Sequence, residues 1–439
     1  MGPGQAPKQG CSQMDLNPAV SKELAQAVDR VGQVDILVAI PAFNNEDTVS
    51  SVMKMAAEGL STFYRSRRSA IFVCDGGSLD DTKAVATNTD IGLTVNKIVA
   101  TYRGQSGKGN ALRAVFQAAR SLGAQACVLM DADLRSVTPE WVHNLAEPVI
   151  SHGFDLVTPY YRRYKYDGTI TNIIVFPMIS SLFGKRIRQP IGGDFGLSKK
   201  LIDFFAYQDV WDNYVGQFGI DIWMTVSSLA EGFKVCQANL GAKVHDAKDP
   251  AFSLGPMYVH VLSTLFSGMG KYESVWKSIE GSQDVEIFGS SLPWEPDPIP
   301  ISVTRLIKEL RTGVQYFGPL YERIFDAESY SRLERLAGGN GYDPDEFHMP
   351  ADLWARILYD LAIQYNLWEA NTHKLIDLSA PLYYGRIASL ANEIRLMDAD
   401  EAEQFIISEA RTLEEMKPYL LERWDTMIAA ERAVDLLDR

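Results

Sequence analysis

Two carboxylates in the triplet Asp131-Ala132-Asp133 stand i, i+2 apart at the end of an apolar run, QACVLMDADL. Hard divalent cations take oxygen ligands, and Mg²⁺ is commonly held by one or two carboxylates plus substrate phosphates. The triplet alone is common, and a solvated turn or a helix cap at Asp133 or Ser136 would also account for it. Its place at a buried strand end points instead to a cation site for a phosphate-bearing substrate.

Asp75-Gly76-Gly77-Ser78 follows a second apolar run, SAIFVCD. The glycines allow a tight turn and close approach of backbone to a ligand. Asp75 is placed to accept from a nucleobase or ribose, whereas Asp80 and Asp81 are read as caps of the next helix. Lys108, between Gly107 and Gly109, precedes a helical pattern and reaches toward a diphosphate, with backbone N–H groups assisting. The spacing of a P-loop fails here, and the first strand carries Pro41-Ala42-Phe43-Asn44-Asn45 where a dinucleotide fold has its Gly-rich turn. Gly192-Gly193-Asp194 suggests a floor for an acceptor, with Asp194 either binding acceptor hydroxyls or bracing the loop. Asp221 opens an apolar helix and either caps it or bonds sugar and acceptor hydroxyls. His245 is a lone histidine after a strand-like run and by itself is no ligand.

These groups need a scaffold. Four apolar runs, VDILVAIPAF, SAIFVCDGGS, NKIVATY and QACVLMDADL, read as strands. They alternate with helical spacing over Glu46 to Tyr64, from Asp80 on, and over Gly109 to Leu122. Alternation of this kind predicts an α/β fold, a Rossmann-like and mostly parallel sheet with flanking helices. In open sheets ligands bind beyond the carboxyl ends of the strands, where the Pro41, Asp75 and Asp131 segments all lie. Beyond the Pro-rich stretch SSLPWEPDPIPIS the patterns are helical, with tryptophans and leucines at core spacing. The expected organisation is a tail and short helix over 1–33, a catalytic domain over 34–292 and a mostly helical C-terminal region over 293–439.

A length of 439 residues fits two domains. Apolar residues make up 46% and charged residues 22%, the balance of a globular protein. The formal net charge of -14 argues against nucleic acid or an anionic membrane as partner. No apolar segment is long enough for a membrane span, and MGPGQAPKQGCSQ lacks the apolar core of a secretion signal. Cys74 and Cys127 read as buried thiols in a reducing cytoplasm.

Taken in order, Ile40-Pro41-Ala42-Phe43-Asn44-Asn45-Glu46, Asp75-Gly76-Gly77-Ser78, Gly107-Lys108-Gly109, Asp131-Ala132-Asp133, Gly192-Gly193-Asp194, Gly219-Ile220-Asp221 and Val244-His245 resemble GT-A glycosyltransferases. The type resembled is that of glucosyl-3-phosphoglycerate, mannosylglycerate and glucosylglycerate synthases, over roughly Val34 to Asp249. The resemblance implies retaining transfer of glucose or mannose from a nucleotide diphosphate sugar to a small glycerate-type hydroxy acid, with Mg²⁺ or Mn²⁺. It implies that Asp133 and His245 ligate the metal, with Asp131 nearby on ribose or on the cation through water. Pro41, Ala42, Glu46, Asp75, Lys108 and Ala132 would hold the donor. Thr171, Gly192, Gly193, Asp194 and Asp221 would line the acceptor and sugar pocket. In phosphoglycerate enzymes an arginine precedes the residue matching Thr171, and an asparagine stands where this chain has Ala247. Their absence favours unphosphorylated D-glycerate, although Arg162, Arg163, Lys165, Arg186 and Arg188 offer an alternative phosphate site. The expected assembly is a homodimer, with the helical tail dimerising, covering the site, or both. The rival readings are a glucosyl-3-phosphoglycerate synthase, a polyprenyl-phosphate glycosyltransferase and a non-catalytic binding module.

Overall fold

The structure is a computed structural model, and it describes residues 18–212, 214–244, 255–290, 296, 298–338, 343–368 and 370–437. Its first part alternates α1 (Lys22–Val31), β1 (Ile36–Ala42), α2 (Val49–Phe63), β2 (Ser69–Asp75), α3 (Thr82–Asn88), β3 (Asn96–Thr101), α4 (Lys108–Ser121), β4 (Ala126–Leu129) and α5 (Pro139–His152). There follow β5 (Leu156–Arg162), a π-helical turn (Thr171–Val175), α6 (Phe176–Phe183), β6 (Lys185–Arg186), β7 (Phe195–Ser198), α7 (Lys199–Ala206), α8 (Ile220–Ala230) and β8 (Val235–Ala242). The remainder is α9 (Gly255–Lys271), α10 (Glu273–Lys277), β9 (Gln283–Asp284), β10 (Ile287–Phe288), α11 (Val303–Ile324), α12 (Ala327–Gly338), α13 (Ala351–Leu367), α14 (Thr372–Glu393), α15 (Ala399–Glu415) and α16 (Lys417–Leu437).

The described residues fall into two compact units. One comprises those up to Val157 with Gly193–Trp211, the other Thr158–Gly192 with those from Asp212 on. This differs from the division at residue 293 expected from the Pro-rich stretch. Segment 158–192 belongs with the C-terminal helices because its apolar side chains share their core. Ile173, Ile174, Phe176, Met178 and Leu182 are buried in one cluster with Trp354, Tyr359, Tyr383 and Trp424. Two of the tail's tryptophans are thus core, as their spacing suggested, whereas Trp368 is 40% exposed.

In the first unit the strand order is β3-β2-β1-β4-β7-β5. β1 pairs in parallel with β2 and β4, and β2 with β3, whereas β7 runs antiparallel to β4 and β5. The sheet is the mostly parallel one expected. β2 is buried along its whole length, and β1 everywhere except Pro41, which is why both read as unbroken apolar runs. Helix α2 lays Val49, Val52, Met53, Ala56 and Leu60 inward, a spacing of three and four that gives one apolar face. In the second unit β8 and β10 pair in parallel, as do β6 and β9. Among the described residues no helix is long and apolar enough to cross a membrane.

Candidate active site

In the first unit β1 and β2 end side by side, with Ala42 opposite Asp75 in the register. Gly76 N–H donates to Ala42 O at 2.8 Å, and Met130 N–H to Ala39 O at 3.0 Å. The segments carrying Pro41, Asp75 and Asp131 therefore leave the sheet at one end, beyond the strands' carboxyl termini, as the strand reading required.

Asp75 is 2% exposed. Its Oδ2 accepts from Gly77 N–H at 3.0 Å and Thr101 Oγ1 at 3.0 Å. Its Oδ1 accepts from Ser78 N–H at 3.2 Å and Ser78 Oγ at 2.6 Å. A carboxylate has about four lone-pair directions, so all are filled from within the chain. Asp75, expected to accept from a nucleobase or ribose, here anchors the turn. The turn requires φ +82° at Gly77, a conformation that glycine adopts without penalty.

The loops after β1 and β2 are stitched together reciprocally. Asn44 N–H donates to Ser78 Oγ (3.0 Å) while Leu79 N–H donates to Asn44 Oδ1 (2.9 Å). Glu46 N–H donates to Asp80 Oδ2 (3.1 Å) while Asp81 N–H donates to Glu46 Oε2 (2.8 Å). One oxygen of Glu46, expected on the nucleotide, thus holds the loop. Asp80 rather than Asp81 caps α3, its Oδ1 accepting from Thr82 N–H at 3.0 Å and Thr82 Oγ1 at 2.5 Å. Burial is the largest single influence on the Asp80 carboxyl and pushes it up, but the bonds from Thr82 and Glu46 together hold it below the usual carboxylate range. Phe43, beside this seam, is 47% exposed.

Lys108 is the first residue of α4, and its Nζ lies 2.9 Å from Asp131 Oδ1. The preceding loop is fixed by Tyr102, whose hydroxyl accepts from Gly107 N–H at 2.9 Å and lies within bonding distance of Gly107 O at 3.1 Å. Asp131 N–H donates to Oδ1 of fully buried Asp194 at 2.9 Å. Asp194, two residues beyond Gly192 in sequence, thus braces the acidic triplet's loop from its place just before β7. Ala132 is 3% exposed, whereas Asp131 and Asp133 are part-exposed. Among the described residues no three His, Cys, Asp or Glu side chains converge as a metal cage. His245 and Ala247 lie outside the described residues.

In the second unit Thr171 opens the π-helical turn, 6% exposed. Asp221 is 7% exposed within the first turn of α8, whose N-cap is Gly219, so capping is not its role. A Cβ on Gly192 would lie 2.1 Å from Pro159 Cγ, which explains the glycine by close approach. Lys243, a buried cation the sequence reading passed over, donates to Gly192 O at 2.7 Å and lies 5.2 Å from the Tyr161 ring centre. Its only sequence signal was a lysine two residues before His245.

The basic residues considered for an acceptor phosphate are engaged within the unit. Arg162 pairs with Asp400 at 3.2 Å, Arg163 with Asp167 at 3.0 Å, Arg186 with Asp284 at 2.6 Å and Arg188 with Glu403 at 2.7 Å. Lys165 donates to the carbonyls of Ile394, Arg395 and Met397 at 3.0, 2.9 and 2.7 Å.

Residues 37–211 match the sequence model of glycosyl transferase family 2. The chain is 25% identical over 257 residues to glucosyl-3-phosphoglycerate synthase of Mycolicibacterium smegmatis, covering 54% of this chain and 79% of that protein. It is 26% identical over 137 residues to an uncharacterized protein of Methanocaldococcus jannaschii, covering 31% and 51%. Among solved structures, glucosyl-3-phosphoglycerate synthase of Mycobacterium tuberculosis with Mn²⁺, UDP and glucosyl-3-phosphoglycerate aligns at 24% identity and TM-score 0.43, over 56% of this chain and 84% of that one. The same enzyme with Mg²⁺ and UDP aligns at 23% identity and TM-score 0.43, over 56% and 83%. With the family match falling on the strands and loops that carry Asp75, Lys108 and Asp131, residues 37–211 hold a glycosyl transferase family 2 domain, built on the mostly parallel sheet with flanking helices described above.

Proposed function

We propose that the chain is a retaining hexosyltransferase that moves glucose or mannose from UDP-glucose or GDP-mannose to D-glycerate or a similar small hydroxy acid. The observation that carries the donor half is the pairing of Lys108 with Asp131 beyond the strand end, at 2.9 Å. An anionic diphosphate arriving with a divalent cation suits both partners, the ammonium turning to phosphate and the carboxylate to the cation. Asp131 and Asp133 are hard oxygen donors of the right number for Mg²⁺ or Mn²⁺ when the donor's phosphates complete the shell. His245 is the further ligand in this reading. The cation would neutralise charge developing on the departing diphosphate. Lys108 and the first N–H groups of α4 add positive potential there, and Tyr102 and Asp194 keep those groups in place.

Thr171, Gly192, Gly193 and Asp194 are assigned to the acceptor in this reading, and Asp221 to sugar hydroxyls. The unphosphorylated acceptor is supported by the engagement of Arg162, Arg163, Lys165, Arg186 and Arg188 with partners of their own. The second reading, a phosphorylated acceptor, is favoured by the named activity of the Mycolicibacterium relative. One experiment separates the two: UDP-glucose or GDP-mannose with Mn²⁺ is incubated in parallel with D-glycerate and with 3-phosphoglycerate, and released nucleotide diphosphate is measured. Faster release with D-glycerate is the expected result; preference for 3-phosphoglycerate overturns the acceptor assignment. A homodimer in the cytoplasm completes the proposal, the reducing compartment supported by free buried thiols at Cys74, Cys127 and Cys236 and the dimer checked by light scattering.

A further inference from the structure

The π-helical turn at Thr171–Val175 is an uncommon backbone register that recurs at functional sites. Its second residue, Asn172, is 4% exposed and held from both ends of its amide. Asn172 Nδ2 donates to Asp167 O at 2.9 Å, and Asn172 Oδ1 accepts from Arg188 Nη2 at 2.8 Å. Arg188 is 6% exposed and makes a two-point pair with Glu403 of α15: Nε to Oε1 at 2.7 Å and Nη2 to Oε2 at 2.9 Å. Arg188 N–H also donates to Gln237 Oε1 at 2.6 Å, and its guanidinium lies 5.2 Å from the Phe176 ring centre.

A buried guanidinium needs an anion and satisfied donors, and a two-point carboxylate pair fixes its plane as well as its position. Glu403 therefore decides where Arg188 points, and Arg188 decides where Asn172 is held. α15 is itself anchored at its start, where Asp398 and Glu401 form a reciprocal capping box. Two further ties run from the segment before the turn to α14 and its C-terminal end. Lys165 donates to the carbonyls of Ile394, Arg395 and Met397, and Thr169 Oγ1 lies 2.5 Å from Tyr383 Oη. The last helices and the turn belong to the same compact unit.

We propose that Glu403 is a positioning residue for the acceptor: through Arg188 and Asn172 it sets the Thr171 turn, so the C-terminal helices are part of the acceptor apparatus. This rests on the assignment of Thr171 to the acceptor in the preceding reading. The test uses the full chain with UDP-glucose or GDP-mannose, Mn²⁺ and D-glycerate, comparing wild type with Glu403→Gln, Glu403→Asp, Asn172→Ala and the Glu403→Gln/Asn172→Ala double variant. Glu403→Gln keeps the shape and one acceptor, and its urea midpoint is measured alongside to confirm that the fold is retained. The expected result is an acceptor KM raised by about tenfold or more with kcat less affected, and UDP or GDP affinity within about twofold of wild type. Glu403→Asp recovers part of the loss, and the double variant is no worse than the poorer single one because the residues act in one chain. An acceptor KM unchanged in Glu403→Gln, or an equal fall in nucleotide affinity, overturns the proposal. A wild type inert toward glycerate and 3-phosphoglycerate overturns the functional reading instead. In that event hydrogen exchange of residues 169–176 still decides the clamp: faster exchange in Glu403→Gln supports it, and unchanged exchange sinks it.

Discussion

Replacing Asp75 with asparagine separates an anchoring role from a ligand-contacting one. The carboxylate takes four donors, Gly77 N–H, Ser78 N–H, Ser78 Oγ and Thr101 Oγ1, two on each oxygen. An asparagine keeps one oxygen, so whichever way its amide lies, its NH₂ faces one backbone N–H, which loses its acceptor, and one hydroxyl, which must turn from donating to accepting. Two charge-assisted bonds are lost, each worth about 1.5–3 kcal/mol, and partial relaxation leaves an expected destabilisation of about 3 kcal/mol. Thr101→Val and Ser78→Ala each remove one of the four bonds and lower stability by about 1 kcal/mol. Urea unfolding gives the stabilities and titration calorimetry with UDP and GDP the affinities. Anchoring predicts that nucleotide affinity falls along the whole series, in the order of the stability losses. If Asp75→Asn abolished nucleotide binding while remaining as stable as wild type, and Thr101→Val bound normally, Asp75 would touch the nucleotide directly and the anchoring argument would fail.

Three further outcomes follow from the geometry. Lys108→Met leaves stability within about 1 kcal/mol, because its partner pair with Asp131 is part-exposed, and weakens UDP or GDP binding by about 1.5–3 kcal/mol through loss of a charged contact; unchanged calorimetric affinity would remove Lys108 from the donor site. Gly192→Ala forces a Cβ to 2.1 Å from Pro159 Cγ and lowers stability by about 1–3 kcal/mol or more, visible as a reduced urea midpoint. Burial lifts the Asp360 carboxyl to about 6 against the pull of Arg423 and Tyr419, so the folded chain binds this proton more tightly than the unfolded one. Its contribution to stability is complete below about pH 4 and lost as pH rises through about 6. The unfolding free energy of Asp360→Asn relative to wild type therefore improves by up to about 3 kcal/mol between pH 4 and 7, and a flat difference contradicts the shift.

The strand ends were legible because parallel strands buried on both faces leave unbroken apolar runs, and the three that are so buried, β1, β2 and β4, end on polar or Gly-rich segments. The helix starts at Thr82 and Lys108 were expected within two residues, from Asp80 on and from Gly109, on acidic and glycine punctuation. What Asp75 does was not legible, since one of its four donors, Thr101, arrives from the next strand, 26 residues on. The antiparallel strand Phe195–Ser198 was hidden because four residues after two glycines give no periodicity. The division into units escaped the sequence because one unit takes back Gly193–Trp211 after an excursion, and Pro-rich punctuation at residue 293 marks no such discontinuity. Arg188 was visible as a charge, but its use was not. A buried cation declares itself only when its carboxylate, here 215 residues away at Glu403, is known.

The central claim, that the acidic triplet serves a cation-assisted sugar transfer, is tested most directly by measuring hexosyl transfer in wild type and Asp133→Ala. The assay contains UDP-glucose or GDP-mannose and D-glycerate, with Mn²⁺ present or removed by EDTA. Product formation that requires the cation, and that drops by about 100-fold or more in Asp133→Ala, is the predicted result. Transfer equally fast in EDTA, or in Asp133→Ala at matched stability, would contradict it.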